Sequence, residues 1–291
     1  YKTILHYMAN EYETKSIDFV LEKVRNALNE VNANERFDFI NAHDTNIDTA
    51  LSIACKNSKS YFVKKLIEFF DDCLDFTKRN INGNWPFILA LSANDDELIR
   101  LLISSDKCMK NVDLSVPIDK NGNLIVHYMI KNFNLSNFEL LIEKTLGQSS
   151  NLELDLANVK NGRNESILSI SIQSRKLDFL TYILANLQPD LNIEVDGRPL
   201  IFKAAESYDF DIFKLLLKYG SFDLNQKYYG KTLLHYCCES YRDQNRKVEL
   251  LVQYDDVDVN CQVDKTLMTP LHMAVRAKSF GLTRALLALG K

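Results

Sequence analysis

Four stretches of the chain end in a histidine at the same offset: Thr3-Ile-Leu-His6, Leu124-Ile-Val-His127, Thr232-Leu-Leu-His235 and Thr269-Pro-Leu-His272. Imidazoles in such numbers would bind a transition metal if they converged on one point. The chain also carries acidic clusters, Asp71-Asp72, Asp95-Asp96-Glu97 and Asp255-Asp256, the residue type needed for acid–base work. Each histidine, however, occupies the same place in a recurring unit. Units of packed helices set such side chains about 10 Å apart, too far for shared ligation. Asp95-Asp96-Glu97 suits the first turn of a helix, where the dipole favours negative charge. His43 stands alone in a long loop. No phosphate-binding glycine loop, GxSxG, HExxH or kinase-like motif occurs. The residues therefore predict no catalytic centre, no metal and no cofactor.

The elements behind these motifs recur. Aligned on the residue that opens each first helix, the units begin at Thr3, Thr49, Trp85, Leu124, Ser166, Pro199, Thr232 and Thr269, spaced 46, 36, 39, 42, 33, 33 and 37 residues apart. A basal period near 33 with insertions fits these spacings and identifies a repeat array. Gly83, Gly122, Gly197 and Gly230 lie two residues before an opening position and mark a turn into a helix. Thr or Ser at five openings can accept a hydrogen bond from an orphan helix N–H. Pro86, Pro199 and Pro270 fall in the first turn, where a missing N–H is harmless. Apolar residues follow (Leu5, Leu51, Phe87, Val126, Leu168, Ile201, Leu234, Leu271), then small ones (Ala54, Ala90, Ala204, Cys237, Ala274) that let helices approach closely.

A second helix in each unit shows the i, i+3, i+4, i+7 stripe: Val63, Leu66, Ile67, Phe70; Phe138, Leu141, Ile142, Thr145; Leu180, Ile183, Leu184, Leu187; Ile212, Leu215, Leu216, Tyr219; Leu282, Ala285, Leu286, Leu289. Ser136-Asn-Phe-Glu139 reads as a capping box, and Gly220 and Gly290 as helix C-terminal glycines.

Composition agrees with a folded, water-facing chain. Its 291 residues exceed one ordinary core, 46% are apolar and 25% charged, and the net charge of −4 argues against nucleic acid or an anionic membrane as bulk partner. No apolar run reaches bilayer length. The six cysteines include no CxxC pair, which points to reduced thiols in an intracellular protein, cytoplasmic or nuclear, that reaches membranes only through partners. A first residue Tyr1 inside a motif, with no signal peptide, and a final Gly290-Lys291 at a helix end indicate a fragment of a longer protein.

Gly197-Arg-Pro-Leu-Ile-Phe-Lys-Ala-Ala205 with Leu215-Leu-Leu-Lys-Tyr-Gly220, Gly230-Lys-Thr-Leu-Leu-His235 and Thr269-Pro-Leu-His-Met-Ala274 together make the chain resemble a degenerate ankyrin-repeat array of about eight repeats. The resemblance implies an all-α solenoid of stacked helix-turn-helix units with hairpin-like fingers, one domain spanning 1–291. It also implies that the histidines bridge backbone groups of neighbouring units. The family usually has Gly between the two helices; here Ser58, Phe133, Arg175, Tyr208, Tyr241 and Lys278 stand near that point, with Asn94 a natural substitute. Elongated loops at 30–48, 105–119 and 146–164 are candidate binding or intramolecular elaborations. Trp85, the single tryptophan, replaces a cap and is expected as a packed wedge.

In such an array ligands meet the finger tips and the exposed side of each first helix. From the fourth unit on, that surface holds Lys120, Lys131, Lys160, Arg163, Arg198, Lys231, Lys265 and Arg276 against Asp196, Glu206 and Glu239. The bias predicts a basic groove for a partner protein or acidic peptide, centred on Arg198, Tyr228, Tyr229 and Lys231. Too few stacking aromatics accompany it for nucleic acid. The expected function is a non-catalytic protein-interaction scaffold within a larger adaptor. The alternative is a regulatory or autoinhibitory module of a multidomain enzyme, exchange factor or transcription cofactor, contacting other domains of the same chain.

Overall fold

In the computed structural model the described residues are 2–10, 16–110, 112, 114–148, 156–195, 197–206, 209–239 and 244–288. They fall into two compact bodies, Tyr1–Leu154 and Asp155–Lys291. The first body contains α1 (Ile4–Asn10), α2 (Ile17–Leu28), α3 (Ala33–Ile40), α4 (Ala50–Lys56), α5 (Ser60–Phe70), α6 (Pro86–Ala93), α7 (Asp96–Ser104), α8 (Asp106–Met109), α9 (Ile125–Asn132) and α10 (Leu135–Gln148). The second contains α11 (Ile167–Gln173), α12 (Leu177–Asn186), a hairpin of β1 (Glu194–Val195) and β2 (Arg198–Pro199), α13 (Leu200–Glu206), α14 (Phe210–Tyr219), α15 (Leu233–Glu239), α16 (Gln244–Leu251), α17 (Pro270–Arg276) and α18 (Phe280–Leu287).

First helices pack on first helices and second on second. In one body α4 lies between α1 and α6, and α5 between α2 and α7; in the other α15 lies between α13 and α17, and α14 between α12 and α16. The small residues make this possible: Ala54, Ala90, Ala204, Cys237 and Ala274 are all at or near zero exposure. The apolar residues two places into each helix are buried from Leu5 to Leu234, while Leu271 in α17 is only half-buried. The second-helix stripes are inward as read except at Tyr219, which is exposed, and Leu289, which lies outside the described residues; Phe62, Phe179 and Phe213 extend them.

The caps follow the sequence at several helices and depart from it at Ser136. Thr49, Ser166 and Thr269 accept N–H bonds from Ser52, Ser169 and His272, and Asp95 from Leu98. Ser136 is not a cap: α10 starts one residue earlier, and Asn134 accepts from the N–H of Asn137 at 3.0 Å. Gly220 ends α14 as read, but with an extended backbone (φ −100°) rather than a left-handed one; its lack of a side chain makes room for the Phe222 ring, which a Cβ would overlap. Gly290 and Leu289 lie outside the described residues. Trp85 is half-buried rather than a wedge, with the Arg79 guanidinium 5.6 Å from its ring centre.

Between paired helices the backbone turns left-handed at Ser58, Asn94, Arg175 and Lys278 (φ 52–55°). Phe133 does not; it is extended at φ −116° and buried, so no strain is stored there. Tyr208 and Tyr241 lie outside the described residues. The loops at 30–48 and 105–119 are built structure, not open arms. Each holds a short helix, with Ile40, Cys108 and Met109 buried. Much of 146–164 lies outside the described residues.

The histidines cap their own helix. The N–H groups of Thr3, Leu124, Thr232 and Thr269 donate to Nδ1 of His6, His127, His235 and His272 at 3.1–3.3 Å. With Nδ1 accepting, Nε2 carries the proton. It donates from His6 to the Asp48 carbonyl (3.1 Å) and from His235 to the Met268 carbonyl (3.2 Å), each the residue before the next opening position. Burial holds both imidazoles below the ordinary value of 6.5, outweighing the carbonyl bonds that pull upward.

A second tie runs through asparagines. Asn41 donates to Cys73 O and accepts from Asp75 N–H; Asn225 does the same with Asp256 and Asp258; Asn158 accepts from Asp190 N–H. Lys247, fully buried, donates Nζ to the Ala204 and Ala205 carbonyls at the end of α13. There its charge meets the negative end of the helix.

Leu234→Ala is expected to cost about 2–5 kcal/mol in chemical denaturation, and Leu271→Ala clearly less. Lys278→Gly relieves a left-handed lysine and is expected to stabilise by about 0.5–1 kcal/mol. Protonation of the unfolded chain's histidines begins near the value of 6.5, while folded His6 and His235 stay neutral. Stability therefore falls as pH drops from 7 to 5.5, and the urea midpoint should fall less in His6→Asn/His235→Asn.

Candidate protein-interaction surface

The fingers are tight turns that close just before each first helix. In four of them an Asx side chain holds the loop from within: Asp44, Asn80, Asp119 and Asn161 each accept N–H bonds from the residues two and four places on. Among the described residues, the one two before each opening has positive φ. It is Gly83, Gly122, Gly197 and Gly230, as read, but also Ile47, Asn164 and Leu267.

The finger of the seventh repeat differs. Tyr228 and Lys231 exchange backbone hydrogen bonds of 2.9 and 3.2 Å, and both Tyr229 and Gly230 have positive φ (49° and 77°), the geometry of a type I′ hairpin turn. Tyr228 Oη donates to the Gly197 carbonyl of the preceding finger at 2.8 Å, and its ring lies 5.4 Å from that of Phe202. Tyr236 Oη donates back to the Tyr228 carbonyl at 3.1 Å. Burial first, then the neighbouring Tyr229 hydroxyl, raises the Tyr228 phenol above its ordinary value. Tyr229 stands edge-on to Tyr228, ring centres 4.4 Å apart, and is 83% exposed.

The basic residues of this surface are less free than their count implies. Arg198 pairs with Glu206, and Lys231 with Glu239 at 2.7 Å. In both repeats a residue just before the opening position meets one eight places on. Met268 and Arg276 occupy the same two places in the last repeat, with Arg276 Nη1 3.8 Å from Met268 Sδ. Lys160 and Arg163 share the finger that closes with the Lys160–Ser166 bridge, and both are exposed. Lys131, in α9, belongs to the other body. Asp196 lies outside the described residues.

Beside Lys231 opens a groove of about 740 Å³ lined by Lys231, Cys238, Glu239, Val263, Thr266, Met268, Met273, Arg276 and Ala277. Its Cys238 thiol is pushed up to about 12 by burial and is no nucleophile. Sequence reading had missed Met273, Val263 and the ion pairing itself; the eight-residue spacing of Arg198–Glu206 and Lys231–Glu239 was the available signal. Among the described residues no group of three or more His, Cys, Asp or Glu could hold a metal, and no helix is long and apolar enough to cross a membrane.

Residues 168–263 and 201–291 match the family model described as ankyrin repeats (3 copies). An ankyrin repeat protein of Acanthamoeba polyphaga mimivirus is 24% identical over 224 residues, covering 68% of this chain; the chain spans only 29% of that protein's length. The crystal structure of EF0377, an ankyrin repeat protein, superposes with a TM-score of 0.51 at 19% identity, covering 69% of this chain and 96% of that one. The ankyrin repeat domain of Bcl-3 aligns over 98% of both chains at 16% identity, with a TM-score of 0.39 too low to carry an argument. The family match over residues 168–291, the helix pairing and the finger geometry agree: the chain has an ankyrin-repeat fold.

Proposed function

We propose that this chain is a non-catalytic interaction module that offers the fingers and first helices of its repeats to a partner protein or acidic peptide. The observation that carries this reading is Tyr229. A large aromatic side chain is held almost wholly in solvent on a turn whose backbone is fixed at both ends. An exposed anchor that is already ordered loses little entropy on binding, and tyrosine is a residue type that dominates interface energetics. Ankyrin repeats in general serve as protein-interaction modules. The preference for acid rests on Lys160, Arg163, Lys265 and Arg276, which outnumber Asp196 in the sequence of Asp155–Lys291 once Arg198 and Lys231 pair with Glu206 and Glu239. On this reading residues 1–291 act as one domain of eight repeats within an intracellular adaptor, needing no cofactor.

Tyr229→Ala should cut partner recovery in affinity capture by more than half, with folding intact. Phe280→Ala, which removes an equally exposed ring from α18, should leave recovery unchanged. Equal recovery by wild type and Tyr229→Ala counts against the proposal.

A further inference from the structure

We infer that the groove between α15 and α17 is a docking site for an extended acidic–apolar peptide, one whose carboxylate meets Arg276 while a neighbouring aliphatic side chain enters between Met268 and Met273. This rests on the interaction-surface reading above and makes it specific.

The argument begins with the repeated pair of positions eight residues apart. Twice the pair is a closed ion bridge, Arg198–Glu206 and Lys231–Glu239, whose charges cancel in place. In the last repeat the pattern is broken in one sense only. The acidic member is replaced by a cation, Arg276, and the basic member by an uncharged thioether, Met268. Among the described residues no carboxylate lies within ion-pair reach of Arg276; its one recorded contact is the Met268 sulfur, a weak acceptor. Of the three charged side chains lining the groove, Lys231 and Glu239 satisfy each other, and Arg276 is the surplus. A guanidinium presents a planar fork that a carboxylate can fill with two hydrogen bonds.

The rest of the lining is apolar and adaptable. Val263, Met268, Met273 and Ala277 contribute hydrocarbon and thioether surface, and methionines re-pack around aliphatic groups of differing shape. About 740 Å³ accommodates one side chain with its flanking backbone. The exposed finger residue Thr266, also in the lining, adds a hydroxyl for the peptide backbone. One positive charge, a thioether floor and a polar rim together specify Asp or Glu next to Leu, Ile or Met. They also move the acid-binding centre away from Arg198 and Lys231, whose own glutamates already occupy them.

The test is selection of a random twelve-residue peptide library, displayed on phage, against the immobilised chain, followed by fluorescence polarisation with the enriched peptides. Enrichment of Asp or Glu beside an aliphatic residue is expected. Arg276→Gln should weaken the enriched peptides about tenfold, and Arg276→Lys less. Arg276 is exposed, so thermal melts of both variants should match wild type. Enriched peptides without acidic residues, or with affinity unchanged in Arg276→Gln, overturn the inference. If such peptides are instead lost in Tyr229→Ala, the interaction surface stands and only its placement in this groove fails. Indifference to both variants removes both readings.

Discussion

No helix pair in this chain can cover its own apolar surface; the next pair must do so. That constraint rests on how closely the first helices approach, set by Ala54, Ala90, Ala204, Cys237 and Ala274, each with almost no side chain exposed. A larger residue at any of these places would push adjacent helices apart. The cost would spread to the second helices, because α5 and α14 pack in register with their neighbours just as α4 and α15 do. Stability is then a sum over repeats and interfaces, and each interface is thin.

Polar ties secure what the thin interfaces leave loose. His6 and His235 each close a helix start and reach the carbonyl before the next one, so a single imidazole sets the spacing of two repeats. Asn41, Asn158 and Asn225 do the equivalent at the opposite end of the loops. Across the gap between repeats both devices end on backbone groups. The outward side chains are thus released from structural duty, and fingers can vary while the helices remain in place. The Tyr228–Lys231 turn shows the consequence: its backbone is held by its own hydrogen bonds and by Tyr236 Oη, the Tyr228 side chain is held by the Gly197 carbonyl, and Tyr229 is left for solvent.

The same separation explains what could be read in advance. Openings, caps, small residues and stripes obey local rules, and Thr49, Ser166, Asp95 and Pro86 behave as their types require. Phe133 and Gly220 did not, because each answers to a neighbour. Phe133 is buried with an extended backbone, and Gly220 yields space to Phe222. Lys247, which no local pattern singles out, is wholly buried against the end of α13, a partner more than forty residues away in sequence. The long loops at 30–48 and 105–119 stood out only by their length; α3 and α8 show them folded and partly buried.

The amino-acid order alone determined the repeat, its period and the all-helical class, and set the fingers and first helices on one side, since each follows from periodicity and from residues close in the chain. Which cations on that side are available to a ligand was a tertiary decision. Arg198 and Arg276 are equally basic in the sequence, yet one meets Glu206, eight places on, and among the described residues the other meets only a methionine. Charge is a property of the residue, but its neutralisation depends on which side chain the folded backbone places opposite.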